Sequence, residues 1–92
     1  MPKLIVPDDV AACIRNLHPH LKKKVRSSLK YILDDTHAGK ALLDELAGFR
    51  SFRVSRFRII YRITAKNDVE LIAIGPRESI YEETYRIIRN RP

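Results

Sequence analysis

Residues 49–75 contain three runs, FRSFRV, FRIIYRIT and VELIAIG, rich in β-branched and aromatic side chains and separated by turn-like pieces at Ser55-Arg56 and Ala65–Asp68. Runs of this kind at this spacing predict a three-stranded antiparallel meander. The meander constrains everything else, because a sheet must bury its apolar face against another layer. In the middle run Phe57, Ile59, Tyr61 and Ile63 share one face, and Arg58, Ile60 and Arg62 share the other. The all-apolar set has to face helices.

A two-residue turn at Ser55-Arg56 pairs Val54 with Phe57, Arg53 with Arg58 and Phe52 with Ile59. That register sets apolar against apolar on the core face. It also sets Arg53 against Arg58, and like charges directly opposite in a sheet repel. A three-residue loop at Lys66–Asp68 then places Ile63 across from Leu71, Tyr61 from Ala73, Ile60 from Ile74, and Arg58 beside Pro76. Arg77 follows at the strand end, with Tyr81 one helical turn further. Arg53, Arg58, Arg77 and Tyr81 are therefore expected to converge on one edge of the uncovered face.

The cover for the other face is legible upstream. Lys3–Val6 reads as a short first strand stopped by Pro7. Asp8 or Asp9 is placed to cap a helix whose Val10, Cys13, Ile14 and Leu17 recur at helical spacing. Pro19 suits the first turn of a second helix, with Leu21, Val25, Leu29, Ile32 and Leu33 as its apolar stripe. The two helices form an antiparallel hairpin, ended by Gly39 as the expected left-handed stop. Residues 40–47 read as a helical turn that tucks Leu42, Leu43 and Leu46 under the sheet. Ser79 and Glu82 have the spacing of a capping box opening a last helix through Ile80, Tyr81, Thr84, Tyr85, Ile87 and Ile88. The expected architecture is α+β: strand, helical hairpin, three-stranded meander and C-terminal helix, with the helices on one sheet face. The 92 residues make one domain, 1–92.

Composition narrows the partners. A formal charge of +7, from 18 Lys+Arg against 11 Asp+Glu, favours an anionic partner. The single cysteine, Cys13, reads as a core residue and points to a reducing compartment. No run approaches a membrane span and the N-terminus lacks a signal-peptide pattern, so a cytoplasmic protein with no membrane partner is expected. His18 and His20 flank Pro19 without Cys or Asp companions and read as solvated cap residues; neither a metal site nor a cofactor is expected.

The open face carries the functional expectation. Guanidinium forks match phosphate oxygens in pairs, so Arg53, Arg58 and Arg77 suit a phosphate, and Tyr81 offers a ring for base stacking. Arg62 lies farther along the same face. Lys22, Lys23 and Lys24 on the second helix are candidates for added phosphate contacts. Ile60, Ile72 and Ile74 form an expected exposed apolar strip beside the arginines, the kind of surface that binds a partner.

The stretch LDELAGFRSFRVSRFRIIYRI followed by VELIAIGPRESIY resembles the sheet half of the RelE/ParE toxin superfamily, and the helical hairpin upstream agrees with it. The resemblance covers nearly the whole chain. It implies a small toxin held inactive by a cognate antitoxin that wraps its surface, here over Ile60, Ile72 and Ile74. The RelE-like branch implies a metal-independent ribonuclease that cuts mRNA in the ribosomal A site through attack of a 2′-OH on the adjacent phosphate. On that model Arg58 stabilises the scissile phosphate, Arg77 acts as leaving-group acid or second clamp, Tyr81 stacks on a base, and Arg53 supplies a basic position.

The chain departs from the family pattern in two places. The position of a lysine that serves as base in some members falls near Ser51, where this strand contains no lysine, and a histidine that often precedes the arginine is replaced by Pro76. Lys40 and Glu45 in the preceding segment are within reach of the site, but helix-turn or surface roles suit both better. The alternative branch, ParE-like, shares the fold and inhibits DNA gyrase instead of cutting RNA. A third reading is a catalytically degenerate homologue that binds nucleic acid without turnover. The retained Arg53, Arg58, Arg77 and Tyr81 favour the ribonuclease, with ribosome and mRNA as partners.

Overall fold

The expected meander forms the middle of a larger sheet. The computed structural model describes residues 1–90. Among these the elements run β1 (Leu4–Ile5), α1 (Asp8–Arg15), α2 (Pro19–Asp34), β2 (Lys40–Ala41), a 3₁₀ turn (Asp44–Leu46), β3 (Arg50–Val54), β4 (Phe57–Ile63), β5 (Val69–Pro76) and α3 (Ile80–Arg89). They build a five-stranded sheet in the order β1-β5-β4-β3-β2. β1 lies parallel to β5 and the other pairs are antiparallel. The α+β class is as expected, and the order of elements is too, apart from the added edge strand β2.

The β3–β4 register is also as expected, with Val54 across from Phe57, Arg53 from Arg58 and Phe52 from Ile59. A two-residue turn leaves no freedom in that register, and Ser55 accepts a left-handed φ of 55° to close it. The β4–β5 register differs. The loop spans residues 64–68 and is held by Thr64, whose N–H bonds the Asp68 carbonyl (2.8 Å) and whose Oγ1 accepts from the Asp68 N–H (3.1 Å). Ile63 thus meets Val69 and Tyr61 meets Leu71. A bulge then shifts the pairing, so that Ile60 meets Ala73, Ile59 meets Ile74 and Arg58 meets Gly75.

The bulge leaves Ile72 as the extra residue on β5 and breaks strict alternation. Ile72 and Ala73 both join the cluster with Ile60, whereas Ile74 packs with Ile59 and Tyr61. The expected common strip of Ile60, Ile72 and Ile74 is therefore split between the two faces.

On one face α1 and α2 bury Val10, Val25, Leu29 and Ile32 against Val54, Ile59, Tyr61, Val69 and Leu71. On the other α3 lays Ile80, Tyr81 and Ile87 over Ile60, Ile72 and Ala73. The expectation of all helices on one face thus holds for the hairpin and not for α3. The apolar residues on the second face supply the reason, since they need cover of their own.

Several local expectations change. Gly39 has no left-handed backbone; it is small because a Cβ there would lie 2.7 Å from the Tyr61 hydroxyl oxygen. That hydroxyl accepts from the Gly39 N–H (2.9 Å) and donates to the Thr36 carbonyl (2.8 Å), while Arg50 Nη1 donates to the Gly39 carbonyl (2.6 Å). The left-handed glycine is Gly48, with φ 95°. Residues 40–47 split into β2 and the 3₁₀ turn, and Leu43 is 76% exposed instead of tucked under the sheet. No side-chain cap forms at α1 or α3, and Glu82 pairs with Arg86 instead of closing a capping box with Ser79. His18 does cap α2, its Nδ1 accepting from the His20 N–H at 3.2 Å.

Candidate functional site

Two loops meet at one end of the sheet. The β3–β4 turn carries Ser55 and Arg56, and β5 runs out through Pro76 into the turn before α3. The Arg77 N–H donates to the Arg56 carbonyl at 2.9 Å and ties the two loops together. Between them lies a cleft of about 180 Å³ lined by Arg53, Ser55, Arg56, Arg77 and Glu78. Arg58 is the cross-strand neighbour of both Arg53 and Gly75, half-buried at the base of this end of the sheet.

The structure thus gathers Arg53, Arg58 and Arg77 and adds Arg56. Among the described residues the ion pairs are Arg62 with Glu70 and Arg86 with Glu82, so none of the four arginines is neutralised by a carboxylate. Arg53 Nε donates only to the Ser55 carbonyl, at 3.3 Å. Uncompensated guanidiniums crowded in this way repel one another. An anion with several oxygens, phosphate above all, relieves the repulsion and takes forked hydrogen bonds.

Tyr81 sits beside the cluster but is less free than expected. Its ring is half-buried against the Ile60, Ile72 and Ile80 cluster, and its hydroxyl shares a 3.0 Å hydrogen bond with Ser51 Oγ. Ser51 is 2% exposed and lies on the Arg53 face, two residues away along β3. Lys40 pairs directly with Ser51, so the lysine that β3 lacks has a cross-strand counterpart on the same face. Glu45 lies exposed in the 3₁₀ turn.

Two expected binding groups and one expected core residue change standing. Arg62 pairs with Glu70 directly across the β4–β5 ladder, so its charge is locally balanced. Ile60 and Ile72 are 0% and 2% exposed beneath α3, and Ile74 is 7% exposed on the opposite face, so no exposed apolar strip exists. Cys13 is exposed and not a core residue. Its Sγ lies 3.7 Å from the Ile74 carbonyl, and partial burial, then Glu83 and Asp9, push the thiol pKa up, which works against a reactive thiolate.

The lysine run is placed more favourably. Lys24 Nζ donates to Ser55 Oγ at 3.1 Å, linking α2 to the β3–β4 turn. Lys23 and Lys24 line an open groove of about 630 Å³ with His20, Ser27, Ser28, Val54 and Ser55. A second hollow of about 320 Å³, bounded by His18, Leu21, Lys24 and Arg56, joins that groove to the arginine cleft. Lys22 is half-buried and lines neither. Among the described residues no group of three or more His, Cys, Asp or Glu converges as metal ligands would. No helix there is long and apolar enough to cross a membrane.

Arg56, Glu78 and Ser51 are the site residues that the sequence reading left without a task. Arg56 could have been found from the hairpin itself, because a two-residue turn brings its second residue to the strand end where Arg77 arrives. Glu78 and Ser51 had no such signal; only the docking of α3 and the β5 exit defines what they face.

The sequence matches the family described as ParE toxin of type II toxin-antitoxin system, parDE, over residues 7–81. The chain belongs to that family and so to the RelE/ParE toxin superfamily. A comparison with curated protein sequences returns no significant match. Among solved structures, the RelBE2 toxin–antitoxin complex from Mycobacterium tuberculosis is similar at TM-score 0.73 and 23% identity, covering 84% of this chain and 100% of that one. The isolated E. coli RelE toxin matches at TM-score 0.72 and 17% identity, over 96% and 99% of the two chains. The YoeB–YefM complex from Staphylococcus aureus matches at TM-score 0.66 and 15% identity, over 82% and 95%. At these identities the structures bear on the fold.

Proposed function

We propose that this toxin is a metal-independent, ribosome-dependent mRNA endoribonuclease that inhibits translation in the cytoplasm. The observation that carries the reading is the cleft in which Arg53, Arg56 and Arg77 converge beside Arg58 with no carboxylate bound to any of them. Attack of a 2′-OH on the neighbouring phosphate builds negative charge on a pentavalent phosphorus, and preorganised guanidiniums stabilise that charge more than the ground state. Arg58 and Arg53 hold the phosphate, and Arg77 stands by the departing 5′ oxygen. Tyr81 presents the exposed part of its ring to a base. Lys23, Lys24 and the groove beside them extend the cationic surface for ribosomal or messenger RNA phosphates.

The antitoxin is the second partner. Structures of related toxins include complexes with antitoxins, among them a RelB–RelE complex from Methanococcus jannaschii. Because α3 covers Ile60 and Ile72, an antitoxin segment reaches those residues here only by displacing α3. Without displacement it meets the arginine cleft and the outer face of α3.

The family description, which names parDE, favours a second reading: inhibition of DNA gyrase through a protein surface. One experiment separates them. The protein is added to a translating extract and mRNA ends are mapped, with gyrase supercoiling assayed in parallel. New ends on ribosome-bound mRNA, lost in Arg58→Ala and Arg77→Ala, support the ribonuclease. Intact mRNA with blocked supercoiling overturns it in favour of the gyrase reading.

A further inference from the structure

The ribonuclease reading, on which this inference rests, leaves one chemical role unfilled. The 2′-OH must lose a proton, and arginine, which stays protonated in proteins, cannot accept it. The carboxylates around the sheet are mostly committed elsewhere. Glu70 is paired with Arg62 and Glu82 with Arg86. Glu83 lines a crevice at the edge of β5 with Asp9 and Cys13, its carboxylate packed over Gly75, and it does not line the arginine cleft. Glu45 sits in the 3₁₀ turn beyond β2, and Lys40, on the edge strand β2 across from Ser51, does not line the arginine cleft.

Glu78 is different. It lines the same cleft as Arg53, Arg56 and Arg77, yet it is ion-paired with none of them. Its position is built by the turn that leaves β5: the Arg77 N–H bonds the Arg56 carbonyl and the Ser79 N–H bonds the Pro76 carbonyl at 3.1 Å, with Glu78 held between. A carboxylate among guanidiniums that does not collapse onto them leaves room between the charges for a phosphodiester.

We infer that Glu78 is the general base of this cleft, acting on an RNA strand whose scissile phosphate lies among the arginines. The 2′ oxygen forms a bond to phosphorus while its proton passes to the Glu78 carboxylate. The bond from phosphorus to the 5′ oxygen breaks, and that oxygen leaves beside Arg77 and collects a proton from solvent. Glu78 then returns its proton to solvent. The products are a 2′,3′-cyclic phosphate and a 5′-hydroxyl, with no oxidant, metal or net proton consumed.

The test is single-turnover cleavage of ribosome-bound mRNA by the wild type, Glu78→Gln, Glu78→Asp and Glu83→Gln. Affinity is read separately with an mRNA carrying a 2′-deoxynucleotide at the mapped cleavage position. Glu78→Gln is expected to slow cleavage by about 10²–10⁴-fold, the usual worth of a general base, and to bind the deoxy-substituted mRNA at least as tightly as the wild type. Glu78→Asp retains part of the rate and Glu83→Gln all of it. Glu78 is exposed, so folding is undisturbed and melting curves should coincide. If the wild type cuts and Glu78→Gln cuts within about threefold of it, this inference is overturned while the ribonuclease reading stands. A wild type that leaves mRNA intact overturns both.

Discussion

The two faces of the sheet are built to different ends. Toward α1 and α2, every β4 side chain is apolar, and Ile59 and Tyr61 are buried in a continuous core. Toward α3, only the half around Ile60, Ile72 and Ala73 is covered, and the other half ends in Arg53 and Arg58 facing each other across two strands. The first face is spent on stability. The second gives up part of its possible burial to hold a charge arrangement that folding alone disfavours, and that cost is what supports the site proposed there.

Substitutions on the two faces should therefore separate stability from activity. Ile59→Ala on the first face is expected to cost about 2–5 kcal/mol, as for other buried isoleucines, read as a lower urea midpoint. Arg58→Ala and Arg77→Ala on the second should leave that midpoint unchanged or higher. Each should lower ribosome-dependent cleavage by about 10²–10³-fold, the scale of a lost charge-stabilising donor. A large stability loss in Arg58→Ala would erase the distinction between the faces.

Smaller effects sharpen it. Gly39→Ala drives a methyl group to 2.7 Å from the Tyr61 hydroxyl oxygen, and overpacking of this kind costs about 1–3 kcal/mol. Thermal melts should show the loss with no specific effect on the arginine cleft. Tyr61 itself gives a pH signature. Burial, the largest influence on its hydroxyl, raises the pKa in the folded protein, against smaller lowering by the Gly39 hydrogen bond and Arg50. A raised folded pKa favours the native state below the ordinary phenol value of about 10, and this contribution is lost as pH rises beyond it. Urea titrations should thus show the wild-type advantage over Tyr61→Phe shrinking above that pH. The smallest expected effect is a gain: Ser55→Gly relieves a left-handed φ of 55°, worth about 1 kcal/mol, less the exposed Lys24 contact.

Legibility followed the range of the interactions. The Arg53–Arg58 pairing was readable because a two-residue turn and apolar matching leave one register. The stripe of Val25, Leu29 and Ile32 was readable because helical periodicity is local. The β4–β5 register was not, since a five-residue loop closed by Thr64 and a bulge at Ile72 obey no fixed spacing. That single extra residue moved Ile74 to the other face and undid the expected apolar strip. Cys13 misled for a related reason: helical spacing places it beside Val10, but it lies in an open crevice alongside Ile74 of β5 and not in the core.

What the sequence determined by itself is the alternation of strands and helices, the apolar inner face of β4 and the forced meeting of two arginines at a tight turn. These depend on residues close together in the chain, where backbone geometry permits few choices. Tertiary structure alone decided that α3 crosses to the second face, that Gly39 is small to admit the Tyr61 hydroxyl, and that Glu78 shares a cleft with Arg53, Arg56 and Arg77. Those outcomes turn on contacts between segments distant in sequence, which packing and the β5 bulge bring into register and no local pattern encodes.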